Sequence, residues 1–346
     1  MARRVLVTGV DTFWGGRVAQ AFEGQPSVEL VLGMGTGEPK VPLERTEFVR
    51  ADQTYSILNR IVRATRVDTV VHTFLVTNSS SVTRRALHEV NVIGTLNLLA
   101  AAGAAGTSVR HVVVKSSTHV YGSSSRDPAW FDEGAQRNAP VTTQLERSLL
   151  EVESLVDDFA EDNPHVAVTV LRFANVLGSD IVTPISTDLR RRLLPAIAGY
   201  DPLVQFVEED DVVRSLEHVT LNRIAGRFNV AGAGKLPWSE VAHLAGAHLL
   251  PLSPIAPRIT CAPLLRLARL ELPAELEALA RYGRGVDTSR LLQTGFSYRY
   301  TTAGTVRSFA RANNLRRSVG EGPVYRYERD LEQFFRHSRA VTREGE

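Results

Sequence analysis

Residues 5–16 read Val5-Leu6-Val7-Thr8-Gly9-Val10-Asp11-Thr12-Phe13-Trp14-Gly15-Gly16. An apolar run of strand length meets glycines and then a helical pattern over about 14–24. A strand that enters a helix through such a turn leaves the helix's first N–H groups, and the positive end of its dipole, at the strand's carboxyl edge. That arrangement binds phosphate. Glycine lets the backbone come close to a ligand and take dihedrals closed to other residues. A strand this apolar is buried on both faces, which is the signature of a parallel sheet.

The same alternation continues outward. Strand-like runs stand at Val28–Leu32, Thr46–Val49, Thr69–His72, His111–Val114 and Ala167–Leu171, with helical patterns at about 53–65, 81–104 and 143–160. Strands alternating with helices predict an α/β fold, a doubly wound Rossmann-like parallel sheet of about seven strands. Residues 1–178 are read as this domain, with 203–231 returning to it. Residues 179–202 and 232–346 are read as a small C-terminal α/β cap domain and tail: prolines at 184, 195 and 202 loosen the pattern, and Leu249 to Leu272 is rich in Pro and Leu. In the tail, Leu331, Phe334 and Phe335 have the spacing of a short amphipathic helix.

Composition narrows the class. The 346 residues are 43% hydrophobic and carry a formal charge of +2, so nothing points to nucleic acid or an anionic membrane as partner. No apolar run approaches the ~18 residues of a membrane span. The basic start, Arg3-Arg4 before Val5, leads into a strand and not a signal peptide. The one cysteine, Cys261, forbids an intramolecular disulfide, suits a cytoplasmic location and reads as a small hydrophobe. The nine histidines are scattered, and His243 and His248 lack ligand spacing, so no metal is expected.

Further motifs follow in order: Arg50-Ala51-Asp52, Val71-His72-Thr73-Phe74, Asn91-Val92-Ile93-Gly94-Thr95-Leu96-Asn97-Leu98-Leu99, Lys115-Ser116-Ser117-Thr118-His119-Val120-Tyr121-Gly122, Leu171-Arg172-Phe173-Ala174-Asn175-Val176-Leu177-Gly178, and Gln205-Phe206-Val207-Glu208-Glu209-Asp210-Asp211-Val212. With the glycine turn, these resemble the extended short-chain dehydrogenase/reductases of the NAD-dependent epimerase/dehydratase type over residues 3 to about 232. Within that family the chain resembles bacterial UDP-glucose 4-epimerase-like proteins with a degenerate active site. The resemblance implies NAD or NADP as cofactor and a nucleotide sugar as ligand. It places the cofactor at Gly9, Thr12, Phe13, Trp14, Gly15, Asp52, His72, Thr73, Phe74 and Asn91. It makes Ser117 the catalytic hydroxyl and Thr118, His119, Tyr121 and Asn175 the substrate pocket. It also implies a homodimer paired through the helices at 81–104 and 143–160. His72 is read as a structural strand-end histidine.

The departures are as informative. The family turn is T-G-x-x-G-x-x-G, and Thr12 replaces the middle glycine, so its Cβ narrows the space for a pyrophosphate. The acid that usually meets the adenosine ribose is absent: the matching position is Gly35, and Glu38 reads as a solvated loop charge. The family's catalytic Tyr-x-x-x-Lys pair falls on Leu145 and Leu149, and residues 123 to 199 contain no tyrosine. The arginine that clamps a diphosphate is missing beside Val204. Glu208 and Glu209 there read as a surface charge pair, and Arg190 to Arg192 as an exposed helix face.

Three functions remain open. The chain is a binding or regulatory homologue, with a protein partner, that has lost the hydride chemistry. Alternatively it is an active epimerase or reductase using Ser117 with relocated partners such as Lys115 or His119, or it senses NAD(P) without turnover. Weak or absent dinucleotide binding is expected.

Overall fold

A computed structural model describes residues 3–77, 82–128, 130–138 and 140–319. The chain runs β1 (Arg3–Thr8), α1 (Phe13–Glu23), β2 (Val28–Gly35), β3 (Thr46–Arg50), α2 (Tyr55–Thr65), β4 (Thr69–His72), α3 (Arg84–His88), α4 (Gly94–Gly103), β5 (His111–Ser117), α5 (Gln144–Asp162), β6 (Ala167–Phe173) and β7 (Asn175–Leu177). It continues with α6 (Pro184–Arg190), β8 (Leu193–Ile197), β9 (Leu203–Val204), β10 (Phe206–Glu208), α7 (Glu209–Asn222), β11 (Gly226–Val230), β12 (Leu236–Pro237), α8 (Trp238–Ala245) and β13 (His248–Leu252). Short helices at Pro257–Thr260, Ala262–Ala268, Ala274–Tyr282 and Ser289–Leu292 precede a closing helix, Thr302–Val319.

Seven strands form one sheet in the order β11-β6-β5-β4-β1-β2-β3, and every pairing in it is parallel. This is the doubly wound Rossmann-like sheet the sequence predicts. Its order reverses between β1 and β4, the crevice where such sheets take ligands. Alternation along each strand fills two cores. Val5, Val7, Val71, Val113 and Leu171 face α1 and α7. Leu6, Val70, Val112, Val114 and Val170 face α2, α4 and α5.

The segment read as a helix at 81–104 is helical without interruption from Arg84 to Gly103. The segment is α3, a π-helical turn over Glu89–Ile93, and α4. The extra residue in that turn accompanies Asn91, whose side chain turns inward. A third core, with Leu177, Leu189, Ile197, Phe206, Trp238, Leu276 and Phe309, gathers the elements around β8 and β13 beside the carboxyl end of the sheet. No helix among the described residues is long and apolar enough to cross a membrane. The amphipathic spacing of Leu331, Phe334 and Phe335 lies outside the described residues.

Candidate cofactor and substrate site

The turn after β1 needs glycine at two places. Gly9 has φ +71°, and a Cβ there would stand 2.8 Å from the Phe74 Cβ. A Cβ on Gly15 would stand 2.1 Å from the Gly9 carbonyl oxygen. Thr12 is built in differently from a glycine. Its hydroxyl donates to the Gly9 carbonyl at 2.7 Å and accepts from the Gly15 amide at 3.2 Å, so it caps α1. One of the free helix-start donors is thereby consumed within the protein. The amides of Phe13 and Trp14 precede the first intrahelical bonds of α1.

The end of β2 holds a carboxylate after all, delivered from the turn. Asp11 Oδ2 accepts from the Thr36 amide, the Thr36 hydroxyl and the Gly37 amide, each at 2.9 Å. A Cβ on Gly35 would stand 2.6 Å from Asp11 Oδ1. Glycine at 35 therefore makes room for an acid that comes from residue 11. Glu38 is exposed and pairs with Arg50. Asp52 is exposed too; the Thr54 hydroxyl and then the Thr54 amide, at 3.0 Å ahead of α2, hold its pKa below the usual range. The residues present thus fit a dinucleotide in part: a built glycine turn and a carboxylate near the ribose position, with one amide withdrawn by Thr12.

Behind the turn, β1 and β4 are stitched together. Thr73 Oγ1 donates to the Thr8 carbonyl at 2.6 Å. His72 is fully buried between Thr95 Oγ1 at 2.8 Å and Thr8 Oγ1 at 3.3 Å. Desolvation, helped by the Lys115 charge, lowers its pKa to about 3, so it is neutral. Phe74 packs edge-on against it, 4.1 Å between ring centroids. Asn91 holds the segment after β4 through the Val76 amide at 2.8 Å and carbonyl at 2.9 Å, and reaches Ser148 of α5 at 3.2 Å.

Ser117 ends β5 and caps the short 3-10 turn Thr118–Tyr121. Its Oγ lies 2.7 Å from His119 Nδ1. Burial and the charges of Arg284 and Arg137 hold the His119 pKa well below its usual value. With the ring proton on Nε2, the serine donates to Nδ1 of a neutral imidazole whose lowered pKa makes it a weak base.

The two leucines stand where the sequence places them on α5. Leu145 is 2% exposed and Leu149 0%, packed with Leu87, Val120, Tyr121, Phe131 and Ala174. Tyr121 is a fastened wall. It stacks on Phe131 with 4.7 Å between centroids, and its hydroxyl donates to Asn229 Oδ1 at 2.8 Å and accepts from Arg172 at 2.7 Å. Burial raises its pKa. Asn175 contacts the Gln205 carbonyl at 3.4 Å.

Lys115 does not take the place of a lysine at 149. It lies with Val113 on the face covered by α1 and α7, whereas α5 covers the other face. Its ammonium sits 5.2 Å from the Trp14 ring centroid and 5.6 Å from that of Phe173. Burial lowers its pKa to about 8.

Two sequence expectations are corrected here. Glu208 and Glu209 are not a surface pair, being 8% and 4% exposed. Glu208 accepts from the Asp210 amide, and Glu209 from the Ile181 amide at 2.9 Å and Ser179 Oγ at 3.1 Å. Backbone donors satisfy these carboxylates, and burial raises both pKa values. Arg190 is half-buried, donating to the Ser179 and Ile181 carbonyls at 2.9 and 3.0 Å, while Arg191 and Arg192 are exposed.

Arg284 is the residue sequence reasoning missed. A β-bridge joins it to Val204, the position that lacks the expected arginine, and its guanidinium reaches Thr118 Oγ1 at 3.3 Å. Nothing in its local spacing marks it; the bridge to Val204 accompanies its placement beside Thr118 and Ser123.

The sequence profile of the NAD dependent epimerase/dehydratase family matches residues 5–231. Uncharacterized proteins of Mycobacterium bovis and Mycobacterium tuberculosis are each 33% identical over 319 residues, covering 90% of this chain and 84% of theirs. The UDP-glucose 4-epimerase of Thermotoga maritima, solved with UDP-glucose, is 17% identical with a TM-score of 0.69, over 92% of this chain and 100% of that one. The Bordetella bronchiseptica enzyme WbmG, solved with NAD and UDP, gives 0.69 at 17% identity, over 91% and 95%. At such identities the structural likeness carries the fold alone. With the glycine turn, the seven-stranded parallel sheet and the profile match in agreement, the chain belongs to the NAD-dependent epimerase/dehydratase family.

Proposed function

We propose that this chain is a binding or regulatory member of its family that has lost the Tyr-x-x-x-Lys hydride chemistry. The observation that carries this reading is the burial of Leu145 and Leu149 in one apolar cluster. In the family the tyrosine takes a proton from the substrate while its lysine lowers the tyrosine pKa and holds the ribose. Two sealed leucines offer neither a proton acceptor nor a charge. Tyr121 is no substitute, because three polar partners fix its hydroxyl and its pKa is raised, not lowered.

A bound dinucleotide would supply the hydride acceptor. The residues that would hold it are the Phe13 and Trp14 amides at the diphosphate and Asp11 at the adenosine ribose. Asp11 places negative charge where a 2′-phosphate would sit, which favours NAD over NADP. Thr12 withdraws the Gly15 amide, and Leu149 lacks the ribose contact of a lysine, so the affinity is weak. The test is a mass spectrum of the purified protein for bound dinucleotide, calorimetry with NAD and NADP, and an assay of UDP-glucose epimerisation. Weak NAD binding without epimerisation is expected; turnover at rates ordinary for enzymes overturns the reading.

One observation favours a second reading. The 2.7 Å contact between Ser117 and His119 is a serine paired with a base inside the pocket. Acid–base chemistry by this pair would make the chain an active enzyme with relocated partners. Turnover abolished by both Ser117→Ala and His119→Gln, in variants that keep their fold, would establish it.

A further inference from the structure

Each buried arginine near this pocket but one has a carboxylate. Arg172 grips Glu153, with Nη2 at 2.5 Å, and Arg137 pairs with Glu146 at 2.8 Å. Arg284 is 7% exposed, and its partners are neutral hydroxyls: Thr118 Oγ1 at 3.3 Å, and Ser123 Oγ at 3.4 Å from Nε and 3.2 Å from Nη2. No carboxylate among the described residues lies within ion-pair distance of it. Glu146, Asp127 and Glu275 act on it only from farther away, and burial lowers its pKa to about 10. A guanidinium withdrawn from water without a counter-charge is costly unless an anion completes it.

The surroundings fit an anion. Arg137 donates to the His119 and Val120 carbonyls, so a second cation stands at the same turn, and both arginines disfavour a proton on His119. Ser117, Thr118 and Ser123 are hydroxyls that can turn to donate. The Arg284 amide bonds to the Leu203 carbonyl at 3.1 Å, and the Val286 amide to Gln205 Oε1 at 2.6 Å, so the backbone carrying the guanidinium is fixed on both sides.

We propose that Arg284, with Thr118 and Ser123, forms a recognition site for an oxyanion, the carboxylate of a small-molecule ligand seated against Ser117 and His119. The planar fork of a guanidinium matches a carboxylate with two parallel hydrogen bonds. The site rests on the reading that this pocket still takes a small molecule, but not on whether hydride transfer survives.

The test is calorimetry on the full chain with two probes that differ by one carboxylate, UDP-glucuronate and UDP-glucose. UDP-glucuronate should bind at least ~10-fold more tightly, and Arg284→Gln should reduce that preference to within about twofold. Arg284→Lys, which keeps the charge but not the fork, should retain part of it, and serves if Arg284→Gln does not fold. Equal affinity for the two probes, no binding of either, or a preference that survives in a folded Arg284→Gln protein overturns the proposal. Glucuronate and inorganic phosphate, each added alone against thermal unfolding, separate the sources: stabilisation by phosphate but not by glucuronate overturns the carboxylate assignment. NAD binding and epimerisation are measured separately, so failure of the proposed function does not imitate failure of this site.

Discussion

At the scale of single residues, two substitutions that look like losses in the sequence have compensations in space. Thr12 closes part of the phosphate turn but caps α1. Gly35 lacks a carboxylate but makes room for that of Asp11. The sequence alone could not pair residue 11 with residues 35–37, because the contact crosses from one loop to the next strand end. We expect Asp11→Ala to narrow the preference for NAD over NADP by roughly tenfold, about 1.4 kcal/mol, measured as the ratio of their dissociation constants. An unchanged ratio would remove Asp11 from the ribose site.

Lys115 gives a second prediction at this scale. Its pKa in the fold is near 8, below the ordinary 10.5. Between those values the unfolded chain holds a proton that the fold has shed, so this group makes stability rise with pH from about 8 to 10.5. Below about 8 the full cost of burying the ammonium is present. Lys115→Met keeps the bulk between Trp14 and Phe173 without the charge. It should be more stable than the parent at pH 7, on the order of 2 kcal/mol after the lost cation–π contacts are discounted. It should also flatten the pH dependence of denaturant unfolding above pH 8. A variant less stable at pH 7 would show that the ammonium has a partner that offsets its burial.

At the scale of elements, α5 decides the chemistry. Thr143 and Glu146 form a capping box at its start, and Glu146 also holds Arg137. Glu153 further along grips Arg172. The helix is thus fastened by its acids while Leu145 and Leu149 are sealed beneath it. Restoring the pair by Leu145→Tyr and Leu149→Lys would force a larger ring and a charge into a closed cluster. The double variant should lose ~3 kcal/mol or more, a fall in Tm of about 4 °C or more. We expect it to gain NAD affinity more than activity, since Val204 still stands where the family's arginine clamps the substrate diphosphate. Substantial UDP-glucose epimerisation by this variant would show that the leucines alone had silenced the site.

How far the sequence reveals these elements follows from what each depends on. The strands from β1 to β6 are legible because burial on both faces demands unbroken apolar runs, and α5 because its apolar stripe and cap lie within one segment. The π-helical turn at Glu89–Ile93 is not legible, since it accompanies the contact of Asn91 with Val76 fifteen residues earlier. Arg284 is hidden for the same kind of reason. Its bridge to Val204 spans eighty residues, and no periodicity encodes it. Glu208 and Glu209 mislead because adjacent acids ordinarily face water; Glu208 instead caps α7 through the Asp210 amide, and the loop amides that satisfy Glu209 are close only in the folded chain.

At the scale of the whole molecule, pairing of two copies remains to be tested, and the surface of α4 indicates where. Ile93 and Leu96 are 42% and 45% exposed, and Ala100, one turn farther along, is exposed as well. Residues at 93, 96 and 100 share one helix face. The opposite face, with Leu98, Ala101 and Ala102, is already buried against the sheet. An apolar stripe beside α5, ending in a small residue, lets a second copy approach closely. We therefore predict a homodimer through α4 and α5. Light scattering at micromolar concentration should give about twice the 38.0 kDa of one chain. Leu96→Glu should halve that mass without altering the fold, because the side chain is exposed in a single copy and a charge there is costly only when a partner covers it. A particle of one chain's mass before any substitution would leave these side chains as ordinary exposed apolar groups, of the kind every soluble surface carries.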